Sequence, residues 1–211
     1  EDAKLIHALL DDFENTDTGW NATRTQGIRI ELIGKIEGAE KADQFLMQHI
    51  SNPDFRKIAI EKALLEEEYT AAILLAEDGL KNNTPNNQGL VDDWNDYLLQ
   101  TYRCKGDNEN SIKYARILFL TSNREKKKYY TLMKSIVPDV NWTEFIDQII
   151  KDLFKKCNSL SYYSLADIYI WEERWDKLFD ILKRNLSLDC LDKYAPYLMT
   201  DYANEISFKV K

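Results

Sequence analysis

The chain has 211 residues, 44% of them hydrophobic and 30% charged, which is the balance of a folded protein rather than a disordered one. Its net charge is −8, with 11 Lys and Arg against 22 Asp and Glu in residues 1–110 and 17 against 14 in residues 111–211. The acidic balance argues against nonspecific binding to nucleic acid or to an anionic membrane, although the basic second half leaves a local anionic contact open.

Neither a membrane span nor a disulfide framework is predicted. The longest apolar run, AAILLA, is far too short to cross a bilayer. The cysteines, Cys104, Cys157 and Cys190, are odd in number and far apart, which disfavours a set of disulfides. We therefore expect a cytoplasmic protein with no membrane partner. Because the first residue is Glu1 rather than Met, we also expect a fragment of a longer protein.

A recurring pattern of apolar residues predicts helices, in a chain with only 7 Gly and 4 Pro. Four anchor residues are each followed by apolar or small side chains three, four and seven positions later, the spacing of one helix face. A period near 34 residues predicts a helical-hairpin repeat, with the tetratricopeptide type closest in length. The anchors are Tyr69, Asn108, Trp142 and Trp175, at intervals of 39, 34 and 33 residues.

The first predicted elements are an opening helix near 2–14 and a hairpin at 26–51. Segment 27–36 begins with the alternation of a strand, but its apolar residues recur at four-residue spacing, so we predict a helix. The second hairpin is predicted at 54–81. It follows an Asn-Pro pair at 52–53, in which Asn is suited to cap a helix and Pro to begin it.

The third hairpin is predicted at 87–121, after an Asn-rich loop, and the fourth at 124–157. Two patterns in this region have the spacing of a capping box, Ser-x-x-Glu at 122–125 and Asn-x-x-Glu at 141–144. We expect a helix to begin at each of them.

The fifth hairpin is predicted at 160–186 and a closing helix near 188–204. Segment 161–171 has the aromatic and β-branched content of a strand, but its apolar residues fit one face of a helix, so we predict a helix. Gly79 and Gly106 are expected near helix ends.

These elements predict an all-α fold. We expect an α-solenoid of about five antiparallel helical hairpins in a right-handed stack, of the tetratricopeptide or HEAT type, with extra terminal helices. The whole chain, 1–211, is predicted to be a single α-helical repeat domain. Each hairpin presents an apolar face that it cannot bury alone, so neighbouring hairpins are expected to cover one another.

Several stretches together resemble the helical region that follows the zinc finger in bacterial SWIM zinc-finger proteins. The likeness extends from about residue 25 to 205 and depends on the order and spacing of the stretches FRKIAIEKALLEEEYTAAILLAEDG, GLVDDW, YARILFL, KKYYTLMK, NWTEF and EERWDKL. The resemblance implies a helical repeat region within a larger protein. The family's zinc motif, a Cys-x-Cys pair followed by a Cys-x-His pair, does not occur here, so the resemblance implies no zinc ligand in this chain.

No set of residues adds up to a catalytic or metal site. A zinc site needs three or four converging ligands, and neither His7 nor His49 has a second His or Cys at helical spacing. The cysteines have no predicted neighbouring base, and the acidic run at 66–68 is typical of a solvated turn. We expect no catalytic residue, no metal and no cofactor, and we predict that Trp142 and Trp175 are buried packing anchors.

One helix face is the candidate partner-binding surface. Lys127, Tyr130 and Lys134 lie at i, i+3 and i+7, on one side of the first helix of the fourth hairpin. First helices are expected to line the inner curve of a repeat stack, where such proteins bind partners. The same reasoning adds residues from the neighbouring hairpins. They are Asp96, Gln100, Arg103, Tyr163 and Asp167.

The sequence favours a non-catalytic protein–protein interaction scaffold whose partner is a protein or peptide. Tyr, Arg and Lys side chains suit an acidic peptide or single-stranded nucleic acid. An ordinary solvated helix face is the alternative for this surface. For the whole chain, the alternatives are an accessory nucleic-acid-associated region beside a SWIM zinc finger and an all-helical enzyme.

Overall fold

The computed structural model describes most of the chain, and every regular element in the described part is an α-helix. The described residues are 20–82, 87–122, 124–156, 159–184, 192–194 and 196–198, with Leu5, Ala8 and Asp12. No strand occurs among them. The prediction of an all-α fold is confirmed.

In the described part of the chain, ten helices form the five predicted hairpins. Their bounds lie within three residues of the predicted ones, except that the first hairpin begins at Trp20, six residues before its predicted start. The helices are α1 (Trp20–Ile36), α2 (Ala39–Gln48), α3 (Pro53–Leu65), α4 (Tyr69–Lys81), α5 (Gln88–Cys104), α6 (Asn108–Thr121), α7 (Lys126–Ile136), α8 (Asp139–Lys156), α9 (Ser159–Trp171) and α10 (Trp175–Arg184). The two strand-like segments lie in α1 and α9, so both are helical as predicted.

The predicted terminal helices are described only in part. Leu5, Ala8 and Asp12 are helical, as are residues 192–194 and 196–198. The remainder of the predicted helices at 2–14 and 188–204 lies outside the described residues.

The chain divides into two compact units, residues 1–115 and 116–211. In the first unit, consecutive helices from α1 to α5 pack in chain order, and the first helices of successive hairpins also touch, α1 with α3 and α3 with α5. In the second unit, α8 packs on α9 and α9 on α10. This sequential packing is the arrangement of a helical-hairpin repeat. A single repeat domain over residues 1–211 stays a prediction.

The turn inside a hairpin recurs with one backbone geometry. In three hairpins the first helix ends in a left-handed residue, and the next amide donates back to a carbonyl five residues earlier, at 2.8, 2.9 and 2.8 Å. This is the Schellman ending of a helix. Each left-handed residue lies two positions before an anchor, which explains part of the sequence period. The left-handed residues are Glu67, Gly106 and Glu173, with φ of 58°, 72° and 53°.

The anchors begin the second helices, as the repeat predicts. Tyr69, Asn108 and Trp175 are the first residues of α4, α6 and α10, and Trp142 is the fourth residue of α8. Trp142 is buried, but Trp175 is only half-buried, so the prediction of a buried anchor at Trp175 is wrong. The buried face of α10 begins one turn later, at Leu178, because Trp175 lies at the helix start beside the turn.

One of the three predicted helix starts is confirmed. The Asn52 side chain accepts a hydrogen bond from the Asp54 amide at 2.9 Å, and Pro53 is the first residue of α3. The capping box at 122–125 is wrong because α7 begins at Lys126, after a left-handed residue that provides no side-chain cap. The pattern at 141–144 lies inside α8, which begins two residues earlier.

The two glycines predicted at helix ends occupy different environments. Gly106 lies in the α5–α6 turn, as predicted. Gly79 is buried inside α4, where a Cβ atom would come within 2.8 Å of the Trp94 ring. Gly79 therefore allows close approach of α4 to α5 rather than ending the helix.

Candidate binding grooves on the first helices

The predicted surface residues lie on the first helices α5, α7 and α9, and five of the eight line two grooves. Groove A, in the first unit, includes Asp96 and Gln100. Groove B, in the second unit, includes Lys127, Tyr163 and Asp167. The remaining three, Arg103, Tyr130 and Lys134, line neither groove.

Groove A lies between α3 and α5 and has a volume of about 620 Å³. Its polar side chains are paired with one another. Lys57 Nζ donates to Asp93 at 2.6 Å, and the Tyr97 hydroxyl donates to Glu61 at 2.6 Å. Burial, together with the bond to Glu61, raises the pKa of Tyr97. The pairs join neighbouring first helices and leave the groove with polar walls already satisfied.

Three further features distinguish groove A. Leu65, at the end of α3, lines it and is 87% exposed. Gln100 also lines it and donates to Asp96 at 2.7 Å. Cys104 is an exposed thiol at its edge. Groove A therefore offers apolar contact beside an acidic wall.

Groove B lies between α7 and α9 and has a volume of about 400 Å³. The Lys127 amine lies 4.3 Å from the ring centroid of Trp171 and 4.9 Å from that of Tyr130. Burial lowers the pKa of Lys127, and the neighbouring Lys134 ammonium lowers it further. Within the part of the chain that the structure describes, no carboxylate lies within ion-pair distance of this amine.

The opposite wall of groove B comes from α9. Asp167 accepts a hydrogen bond from the Tyr194 hydroxyl at 3.2 Å and pairs with Lys193 at 3.5 Å. The Tyr163 ring lies under the Lys193 amine, 5.4 Å from it. Asp167 is thus paired on its own side of the groove. Lys127 lies against aromatic rings, and Asp167 attracts it only from beyond ion-pair distance.

Tyr130 does not belong to the exposed surface, so this part of the prediction is wrong. Its side chain is buried, with 3% exposed, and its ring lies 4.5 Å from that of Trp171. Its hydroxyl donates to Glu172, and burial together with this bond raises the pKa of Tyr130 to about 12. The amines of Lys127 and Lys134 also lie over the face of this ring.

Lys134 belongs to a cluster around Glu172, which we call the Glu172 cluster (Tyr130, Lys134, Trp142 and Glu172). Lys134 Nζ lies 3.1 Å from both the Tyr130 hydroxyl and a Glu172 oxygen. The Trp142 indole nitrogen donates to the same oxygen at 2.8 Å. Burial alone would raise the pKa of Glu172, but the three hydrogen bonds outweigh it and lower the pKa below its usual value. Lys134 therefore stabilises the fold.

Arg103 is exposed at the end of α5 and lines neither groove A nor groove B. Sequence reasoning also missed several groove residues, above all Trp171, Lys57 and Glu61. The spacing of residues in the sequence contained a signal for two of them, Lys57 and Glu61. Lys57 with Asp93 and Glu61 with Tyr97 are each separated by 36 residues, close to the repeat period, so each pair joins equivalent positions of successive hairpins.

Catalytic and metal-ligating residues are not brought together in the described part of the chain. It contains no group of three or more His, Cys, Asp or Glu placed to hold a metal ion. The exposed His49 ring makes a hydrogen-bond contact with the Phe45 carbonyl at 2.8 Å. His7, Cys157 and Cys190 lie outside the described residues.

Comparison of the chain with family models, with curated proteins and with solved structures gave no match. The resemblance to the helical region of SWIM zinc-finger proteins therefore stays a prediction. In the described ranges, none of the helices combines the length and the apolar character needed to cross a membrane.

Proposed function

We propose that the chain is a non-catalytic interaction scaffold, part of a larger protein, that binds a polypeptide through its first helices. Each of grooves A and B lies between the first helices of successive hairpins, which is where helical repeat proteins present their binding surface. Five of the eight residues singled out from the sequence line these grooves. The tetratricopeptide-like period and the SWIM resemblance are consistent with such a role.

The observation that supports this proposal most strongly is the Lys127 cation in groove B. It lies on the faces of two aromatic rings and has no carboxylate partner among the described residues. A cation held in this way is ready to pair with a carboxylate of a partner, and aromatic and basic side chains dominate interface energetics. The partner segment is therefore acidic where it enters groove B.

The test is selection of short acidic peptides from a displayed library against the full chain, followed by affinity measurement by fluorescence anisotropy. Lys127→Glu is expected to weaken the selected peptides roughly 10-fold to 100-fold, as expected when a charged hydrogen bond is lost. The matched control is Lys151→Glu, at an exposed position of the second helix α8. Equal losses in the two variants, or no loss at Lys127→Glu, would contradict the proposal.

A nucleic-acid-associated role is the second candidate, and one feature favours it. Lys126, Lys127 and Lys128 are consecutive at the start of α7, and Trp171 lies beside Lys127 in groove B. Lysines next to a half-buried aromatic ring such as Trp171 resemble the elements of single-strand binding sites, where bases stack on aromatic side chains. Titration with fluorescent oligothymidylate at low and physiological salt tests this role, because phosphate binding must weaken steeply as salt increases. A salt-insensitive or absent signal would exclude it.

A further inference from the structure

A third groove, groove C, lies in the first unit and shares no lining residue with grooves A and B. It is formed by α2, α3 and α4 and has a volume of about 580 Å³. Its floor is apolar and comes from Leu46, Ala59, Ala63 and Leu75, three of which are buried. The groove therefore opens onto the core of the first two hairpins.

The two walls of groove C expose large apolar side chains to solvent. Met47 on α2 is 54% exposed and Leu74 on α4 is 61% exposed. Ala71, Leu74 and Leu75 lie on one face of α4, at i, i+3 and i+4. Exposed apolar side chains that border a continuous apolar floor are typical of interaction sites, and Met adapts readily to partners of different shape.

The rim of groove C is acidic. Asp43, Glu66 and Glu68 line it, against one cation, Lys62. Lys62 is already held by a hydrogen bond to Asp43, and it lies 3.7 Å from Glu66. Glu68 is exposed, and its side chain has no described partner. The rim therefore keeps a net negative charge after its own cation is paired.

The first unit as a whole is also negatively charged. Residues 1–115 carry 12 Lys and Arg against 22 Asp and Glu. A second copy of the chain would therefore bring like charge to this face, which disfavours self-association. A basic partner gains from both the local rim and the charge of the whole unit.

We propose that groove C binds a basic amphipathic α-helix of a partner protein. Its apolar side contacts Met47, Leu74 and the floor, and its Lys or Arg side chains pair with Glu66 and Glu68. An apolar groove between helices with a charged rim is the receptor in helix-in-groove recognition, where apolar anchors recur at i, i+3, i+4 and i+7. This site is separate from groove B, whose proposed occupant is acidic.

The probe is a fluorescein-labelled helical peptide of Leu and Lys, with Leu at i, i+3, i+4 and i+7, and binding to the full chain is measured by anisotropy. Leu74→Ser is expected to weaken binding roughly 10-fold, the loss seen when an interface anchor is removed. The matched control is Leu65→Ser, because Leu65 is an exposed leucine that lines groove A instead. Circular dichroism checks that both variants keep their helix content.

Two further comparisons test whether the acidic rim contributes to binding and whether the peptide binds in groove C. Glu66→Gln with Glu68→Gln should weaken the peptide, whereas Glu144→Gln, at an exposed position of α8, should not. Lys127→Glu should leave its affinity unchanged, which separates this proposal from that for groove B. Equal binding of a peptide with Glu in place of Lys, or equal losses at Leu65 and Leu74, would overturn the proposal.

Discussion

The carboxylate of Glu172 accepts a hydrogen bond from the indole nitrogen of Trp142 at 2.8 Å. Glu172 lies in the turn between α9 and α10, and Trp142 lies in the second helix of the preceding hairpin. One half-buried carboxylate thus joins two successive hairpins of the second unit. Tyr130 and Lys134 donate to the same oxygen, so the junction depends on a charged acceptor.

Replacing this acceptor should destabilise the second unit. Glu172→Gln removes the charge that three donors share, and we expect a loss of about 1–3 kcal/mol in the free energy of unfolding. Urea denaturation followed by circular dichroism measures it. Glu173→Gln is the control, because Glu173 is the exposed next residue, and its effect should stay within about 0.5 kcal/mol. Equal effects would show that the Glu172 cluster does not stabilise the fold.

The same carboxylate predicts the direction of the pH dependence. Hydrogen bonds hold the pKa of Glu172 below its ordinary value of 4.5, so the folded state binds this proton less tightly than the unfolded chain. The contribution is therefore present above the unfolded pKa and is lost as the pH falls through the folded pKa. Urea midpoints measured from neutral pH down to pH ~3 should converge for wild type and Glu172→Gln. A constant difference would contradict this assignment.

The two lysines of the candidate surface should behave differently on charge reversal, because only Lys134 belongs to the Glu172 cluster. Lys134→Glu places a carboxylate against Glu172, and we expect a loss of about 1–2 kcal/mol. Lys127→Glu removes contacts with aromatic rings and a longer-range attraction to carboxylates, but no ion pair among the described residues, and should cost less than about 1 kcal/mol. Denaturation midpoints of the two single variants test this order. A larger loss at Lys127 would place that residue in the structural cluster.

Substitutions at two of the left-handed turn residues should change the stability of the chain in opposite directions. Glu67→Gly relieves a positive φ and should stabilise the chain by about 1 kcal/mol, whereas Gly106→Ala should destabilise it by a similar amount. Space is not the cause at Gly106, because no atom lies within 4 Å of an added Cβ. Gly27→Ala, inside α1, is the control and should stabilise by about 0.5–1 kcal/mol. Thermal and urea denaturation measure all three variants.

The hairpins were predictable because both of their determinants are local in sequence. Apolar spacing identifies each helix face, and a left-handed turn two residues before three of the four anchors ends the first helix. The prediction of a helix start at 122–125 is wrong although its sequence pattern is local. Glu125 adopts a left-handed conformation, and α7 begins after it.

The roles of individual side chains on the candidate surface were less predictable, because they depend on which helices meet. Helical spacing places Tyr130 beside Lys127 and Lys134, and the amines do lie over its ring. Its burial requires Trp142, Trp171 and Glu172 from other elements of the second unit, which helical spacing within α7 does not reveal.

Hydrogen–deuterium exchange of the full chain, alone and with an acidic peptide selected for groove B, tests most directly whether the first helices bind a polypeptide. Binding by the first helices predicts added protection in α7 and α9, the two helices that line groove B, with none in α8. The protection should disappear in Lys127→Glu and persist in Lys151→Glu. Protection confined to α8, or unchanged by Lys127→Glu, would contradict binding by the first helices.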